Sequence, residues 1–260
     1  MQPLLFLLVL GVARGAEPPL QVGALVDEAL RHNPELAASR GQPERAVQSK
    51  VVARVKQAYY RLRHAYATRD CIERDRDLLR NLLRIAEANY SSGKALQQDV
   101  LKAQVEISLL EPQLVAIEHE LHSREAEIDE LLDRNPDSPL GRPPDEIPPA
   151  LGFTLEQLQA KAGNAGDGVR PLRYEIRDAY QAARSAATMM DMYGRTILPQ
   201  SRFAVHSSLV SYENGASDFL NVLANYTTEF DAERNYNNQV EIFSLALVRL
   251  EELTGVELTH

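Results

Sequence analysis

Proline and glycine cluster at residues 17–23, 33–43, 135–152 and 163–171, leaving two long stretches, 48–90 and 96–133, nearly free of helix breakers. A glycine inside a helix costs about 1 kcal/mol and a proline about 3, so their scarcity over such lengths predicts two uninterrupted helices. At about 1.5 Å per residue each would run roughly 60 Å, the length of a shaft rather than of a helix in an ordinary globule. The composition agrees. Ala, Leu, Glu, Arg and Gln dominate, and a 44% hydrophobic chain with no Trp and only 6 Phe is built for helix packing rather than for sheets.

The second stretch carries Val100, Ala103, Ile107, Leu110, Leu114, Ile117, Leu121, Ile128 and Leu131 in alternating steps of three and four, with one slot taken by Arg124. Such a seam keeps apolar side chains on one partner, as left-handed coiled-coil packing requires. The first stretch shows the seam at its ends, at Val55, Tyr59, Leu62 and Tyr66 and again at Leu79, Leu82 and Ala86. Its charged middle, Arg69-Asp70 through Asp77, reads as a solvated face. Between the stretches lies Tyr90-Ser91-Ser92-Gly93-Lys94-Ala95. Gly93 is suited to end one helix, and so short a turn forces the next helix back antiparallel.

The hairpin then recurs. Val55 to Tyr59 is answered by Ile176 to Tyr180, Tyr90-x-x-Gly93 by Tyr212-x-x-Gly215, Asp99-Val100-Leu101 by Asn221-Val222-Leu223, and Glu130-Leu131 by Glu252-Leu253. The offset is 121 at the first pair and 122 afterwards, which places one inserted residue in the third long helix. That helix also contains Pro199, expected to kink it.

The N-terminus reads as an export signal over residues 1–16: a short apolar run followed by Ala13-Arg14-Gly15-Ala16, too short to span a bilayer. Removing it takes away Arg14 and moves the formal charge from −9 to −10, a poor match for nucleic acid. The single Cys71 cannot form an internal disulfide. The remainder divides into an N-terminal short helix and connection (17–47), a first hairpin (48–134), a linker with a short helix (135–169) and a second hairpin (170–260). The fold class expected is all-α, two long antiparallel coiled-coil hairpins.

Several segments carry a family resemblance. Ala29-Leu30-Arg31-His32-Asn33-Pro34-Glu35-Leu36, Ala58-Tyr59-Tyr60-x-Leu62, the two Tyr-x-x-Gly turns, Ile197-Leu198-Pro199-Gln200 and Leu250-x-x-Leu253-Thr254-Gly255-Val256 stand in the order found in TolC-type outer-membrane efflux proteins, nearer their heavy-metal and multidrug branches. The chain resembles the periplasmic part of that family. The resemblance implies a homotrimeric twelve-helix shaft in the cell envelope, no enzyme activity and no cofactor. Its tips would dock a periplasmic adaptor (membrane-fusion) protein that serves an inner-membrane pump. The tip residues so implied are Gly93, Lys94, Asp99, Val100, Gly215, Asp218, Asn221 and Val222. One departure is plain: where each half of the family contributes two barrel strands, the intervals from Pro34 to Tyr59 and from Leu158 to Tyr180 are too short for them. A barrel-free helical scaffold that does not transport is therefore the alternative reading.

Other chemistry is thin. His119 and His122 lie one helical turn apart beside Glu118 and Glu120, a possible divalent-metal pair in a periplasmic bundle, or simply exposed polar residues. Gly163-x-x-Gly166-x-Gly168 follows no strand and fails as a phosphate loop. No nucleophile, base and orienting group are spaced as a catalytic set.

Overall fold

The computed structural model describes residues 19–39, 44–136, 138–162 and 169–259. Every regular element among them is helical: α1 (Val22–His32), α2 (Pro34–Ala38), α3 (Glu44–Ser91), α4 (Gln97–Leu131), α5 (Leu155–Lys161), α6 (Val169–Met192), a π-turn (Tyr193–Ile197), α7 (Leu198–Glu213) and α8 (Phe219–Thr254). The expected export signal and the glycine-rich 163–168 segment lie outside the described residues.

The seam on α4 is buried as its spacing requires. Ala103, Leu110, Leu114, Ile117, Leu121, Ile128 and Leu131 are buried, and Val100 and Ile107 are half-buried. Arg124, in the lost slot, turns its guanidinium along its own helix to Glu120 and Glu127. Pro112 lies on the exposed side and does not end the helix. The first long helix begins earlier than its pattern suggested, at Glu44, and runs 48 residues, about 70 Å.

Because α3 packs on α4 along one flank and on α8 along the other, and α8 carries α6 and α7, the helices form one layer ordered α4, α3, α8, α6–α7. The upper part of α6 approaches α8 through small side chains. Ala179, Ala183 and Ala186 admit Phe243, Leu247 and Leu250, and Leu158 of α5 closes this second core. The Thr154 side chain and Gln157 form a reciprocal cap that starts α5.

The resemblance motifs do identifiable structural work at the end opposite the turns. Asn33, buried, donates from Nδ2 to the Leu131 carbonyl (2.8 Å) and accepts from Glu35 N–H (3.0 Å), pinning the α1–α2 corner to the end of α4. Arg134 forks onto Glu28 at 2.7 and 2.6 Å and holds that carboxyl below its usual range. Tyr59 and Tyr60 meet edge to face, 5.2 Å apart, inside the core. Gly255, left-handed at φ 68°, ends α8 and turns the last residues back. There Glu251 accepts from Leu258 N–H, Thr259 N–H and the Thr259 hydroxyl, and Lys56 Nζ donates to its other oxygen at 2.8 Å.

One expectation needs adjustment and another gains detail. The charged run of α3 is not a simple solvated face. Cys71 and Ile72 are buried, and Arg69, Asp70, Asp75 and Arg76 are half-buried, leaving Arg74 and Asp77 exposed. The causes are the 138–150 strap, whose Arg142 forks onto Asp70 while Arg142 and Arg69 both lie over the Tyr66 ring, and the α7 and α8 side chains that gather around Cys71 and Asp75. The second concerns Pro199. Just before it the chain makes one turn of π-helix, a local irregularity of the kind found where helices bend, with Leu198 N–H bonding back five residues to the Tyr193 carbonyl. A π-turn absorbs one extra residue without rotating the helix beyond it. The inserted residue read from the offset change is therefore accommodated there.

Candidate functional site: the paired hairpin tips

Both turns lie side by side at one end of the layer. In the first, Gly93 N–H bonds to the Tyr90 carbonyl (3.0 Å) and Lys94 N–H to the Asn89 carbonyl (2.8 Å). In the second, Gly215 N–H bonds to Tyr212 (3.0 Å) and Ala216 N–H to Ser211 (2.8 Å). Gly93 and Gly215 have φ of 72° and 73°, and a Cβ at either would meet nothing within 4 Å. The glycines are required by the left-handed backbone alone, not by crowding.

The two turns are joined. Asn89 Nδ2 donates to the Tyr212 carbonyl at 3.3 Å, and the Tyr212 hydroxyl donates to Asp99 Oδ2 at 3.4 Å. The Tyr212 ring meets Phe219 edge to face at 5.8 Å. Burial, then the Asp99 charge, push the Tyr212 phenol up, so it remains a neutral donor. Equivalent tyrosines thus have different fates: Tyr212 is 3% exposed and Tyr90 is 47% exposed.

Of the eight tip residues read from sequence, the structure brings seven to the accessible end. Gly93, Lys94, Gly215, Asp218 and Asn221 are exposed, and Asp99 and Val100 are half-buried. Val222 is fully buried, in the core behind the second turn, and cannot be touched by a partner. Asp218 is also the N-cap of α8, accepting from Asn221 N–H at 2.7 Å. Sequence reasoning missed the apolar rim: Leu96, Leu101 and Leu220 are exposed beside Tyr90. One signal was available. Leu96 occupies the N-cap position of α4, where it makes no side-chain cap, although a polar residue is favoured there.

The histidine pair is placed on α4, exposed, with His122 Nδ1 2.7 Å from the Glu118 carbonyl of its own helix. Among the described residues no group of three or more His, Cys, Asp or Glu side chains is arranged to hold a metal. The buried Cys71 thiol is pushed up to about 12, chiefly by burial, so it is no activated nucleophile. Among the described residues no helix is long and apolar enough to cross a membrane.

With this geometry in hand, comparison with solved structures is decisive for the fold. The chain superposes on CusC, described by its conformational changes on folding and transmembrane channel formation, with TM-score 0.70, 14% identity, and 91% of this chain and 74% of that one covered. It superposes on the outer membrane protein VceC from Vibrio cholerae (0.69, 13%, 90% and 74%) and on the outer-membrane channel OprN (0.68, 14%, 90% and 70%). The chain has the helical fold of these outer-membrane proteins. No family model and no curated protein matches its sequence.

The layer also leaves two apolar edges uncovered. On α4, at one edge, Leu101, Val105, Leu109 and Val115 are exposed outside the buried seam. On the α6–α7 edge, Met189, Met192, Phe203 and Val210 are exposed. Large apolar side chains concentrated along an edge mark an association surface more often than a solvated one.

Proposed function

We propose that this protein is the periplasmic shaft component of a TolC-like efflux assembly in the Gram-negative envelope. Three copies close edge to edge, and the paired tips dock a periplasmic adaptor that serves an inner-membrane pump. The observation that carries the reading is the match to outer-membrane channels over nine-tenths of the chain. The uncovered edges support the closure: the α4 edge of one copy against the α6–α7 edge of the next is a head-to-tail contact, and such contacts form rings when the rotation closes. The tips support the docking, since an exposed apolar rim of Tyr90, Leu96, Leu101 and Leu220 stands beside the charged Lys94 and Asp218.

One observation favours a second reading. The connections where barrel strands would enter are residues 39–43 and 162–168, too short for pairs of membrane strands of about ten residues each. A barrel-free helical scaffold with the same tips then acts in assembly rather than in conduction. The experiment joins the two. Co-expression with a periplasmic adaptor should give capture that is weakened by Lys94→Glu with Asp218→Lys, while helicity stays unchanged. Capture that survives those reversals sinks the docking role of the tips. A trimeric mass without detergent supports ring closure in the barrel-free form, whereas extraction only by detergent returns the protein to the membrane-channel reading.

A further inference from the structure

Midway along the shaft, α3, α7 and α8 meet at a cavity of about 250 Å³. Its lining is unusually charged for a seam. Arg74 and Asp75 enter from α3, Arg202 from α7, and Glu229 and Glu233 from α8, with Tyr226 and Cys71 filling the apolar side. Both arginines are already engaged: Arg74 pairs with Glu233, and Arg202 lies 3.4 Å from Glu229 and 3.9 Å from Glu233. Asp75 is the carboxylate beyond what those two cations neutralise. Glu106 on α4 and Asp231 on α8 add negative potential around it.

We infer that Asp75, which shares this cavity with Glu229 across the α3–α8 seam, keeps its proton in the packed shaft, and that losing it loosens the joint between the two hairpins. Two carboxylates forced into one poorly solvated site cannot both ionise cheaply, so one of them keeps its proton. Burial first, then Glu229 and the other carboxylates, push Asp75 up to about 7 from 3.8, and burial raises Glu229 against the pull of Arg202. Two further groups of the cavity stay neutral across this range: the Cys71 thiol and the Tyr226 phenol are both pushed up to about 12. The direction of the pH effect follows from linkage. A carboxyl whose folded-state value is raised contributes stability that is complete below its unfolded value near 4. That contribution is lost as pH rises through about 7. The inference concerns the joint between hairpins and does not depend on what the tips bind.

The test uses the whole chain. In the wild type, infrared difference spectra should show a protonated carboxyl band at about pH 6 that disappears as the pH passes about 7. The thermal midpoint should fall by several degrees between about pH 5 and about pH 8. In Asp75→Asn the band should be missing and the midpoint should change far less over the same range. In Glu229→Gln, which removes the facing charge, the band should persist but titrate at lower pH. Absence of the band in the wild type, or an Asp75→Asn profile that parallels the wild type, overturns the proposal. If Asp75→Asn fails to fold, the wild-type spectrum and the Glu229→Gln shift still decide it.

Discussion

The two hairpins come from one repeated pattern, yet they are not built to the same mechanical design. In the first, α3 is a single rod of 48 residues, packed on both flanks and crossed by the strap that Arg142 fastens to Asp70. In the second, the corresponding rod is split into α6 and α7 by the π-turn, and it sits at the edge of the layer. Gly194 lies inside that turn, where a Cβ would come within 3.3 Å of the Tyr236 ring of α8. The comparison shows where a helical array tolerates irregularity. A rod buried between two partners must keep one register along its whole length, whereas an edge rod can absorb an extra residue in a turn with no buried side chains.

Deletions should expose this difference most strongly. Removing Glu73 from α3 rotates everything beyond it by about 100° and takes Leu79, Leu82 and Ala86 off the seam. Circular dichroism and thermal melting should then show loss of cooperative folding. Removing Gly194 converts the π-turn to α-helix without changing the register of α7, so a folded protein melting near the wild type is expected. Equal damage from both deletions would break the comparison.

The turns give intermediate effects. Gly93→Ala and Gly215→Ala should each cost about 1 kcal/mol, because both glycines are left-handed and neither is crowded. A clearly larger cost at one turn, measured by chemical denaturation, would mean that its surroundings contribute as well.

The caps separate the tips further. Asp218→Ala should cost about 1 kcal/mol through loss of the bond to Asn221 N–H. Leu96→Asp, at the matching position of the first turn, should stabilise by up to about 1 kcal/mol while weakening adaptor capture. A loss of stability on making Leu96 polar would show that it packs within the protein rather than serving a partner.

The smallest contrast is between the paired tyrosines. Tyr212→Phe should cost about 0.5 kcal/mol for the long bond to Asp99, and Tyr90→Phe should be neutral.

Much of this molecule was legible in one dimension because helices write their partners into spacing. Seven of the nine residues in the three-and-four pattern of α4 are buried and the other two half-buried, and the Tyr-x-x-Gly turns marked both reversals. Even the π-turn left a trace, as a change of one in the repeat offset together with Pro199. Its form did not, because nothing local in the sequence separates a π-turn from other ways of taking up an extra residue ahead of a proline.

The sequence by itself determined the helical class, the two hairpins and the positions of their turns, because breakers, seam spacing and left-handed glycines act over a few residues. Only the tertiary structure decided which face each turn presents. Tyr90 and Tyr212 read alike in the repeat, but contacts distant in sequence, Asn89 at the Tyr212 carbonyl and Asp99 at its hydroxyl, help enclose one ring while the other stays exposed. The same holds for the charged run of α3. Its local pattern asks for solvent, and the strap and α8 enclose it, because burial depends on where the rest of the chain runs.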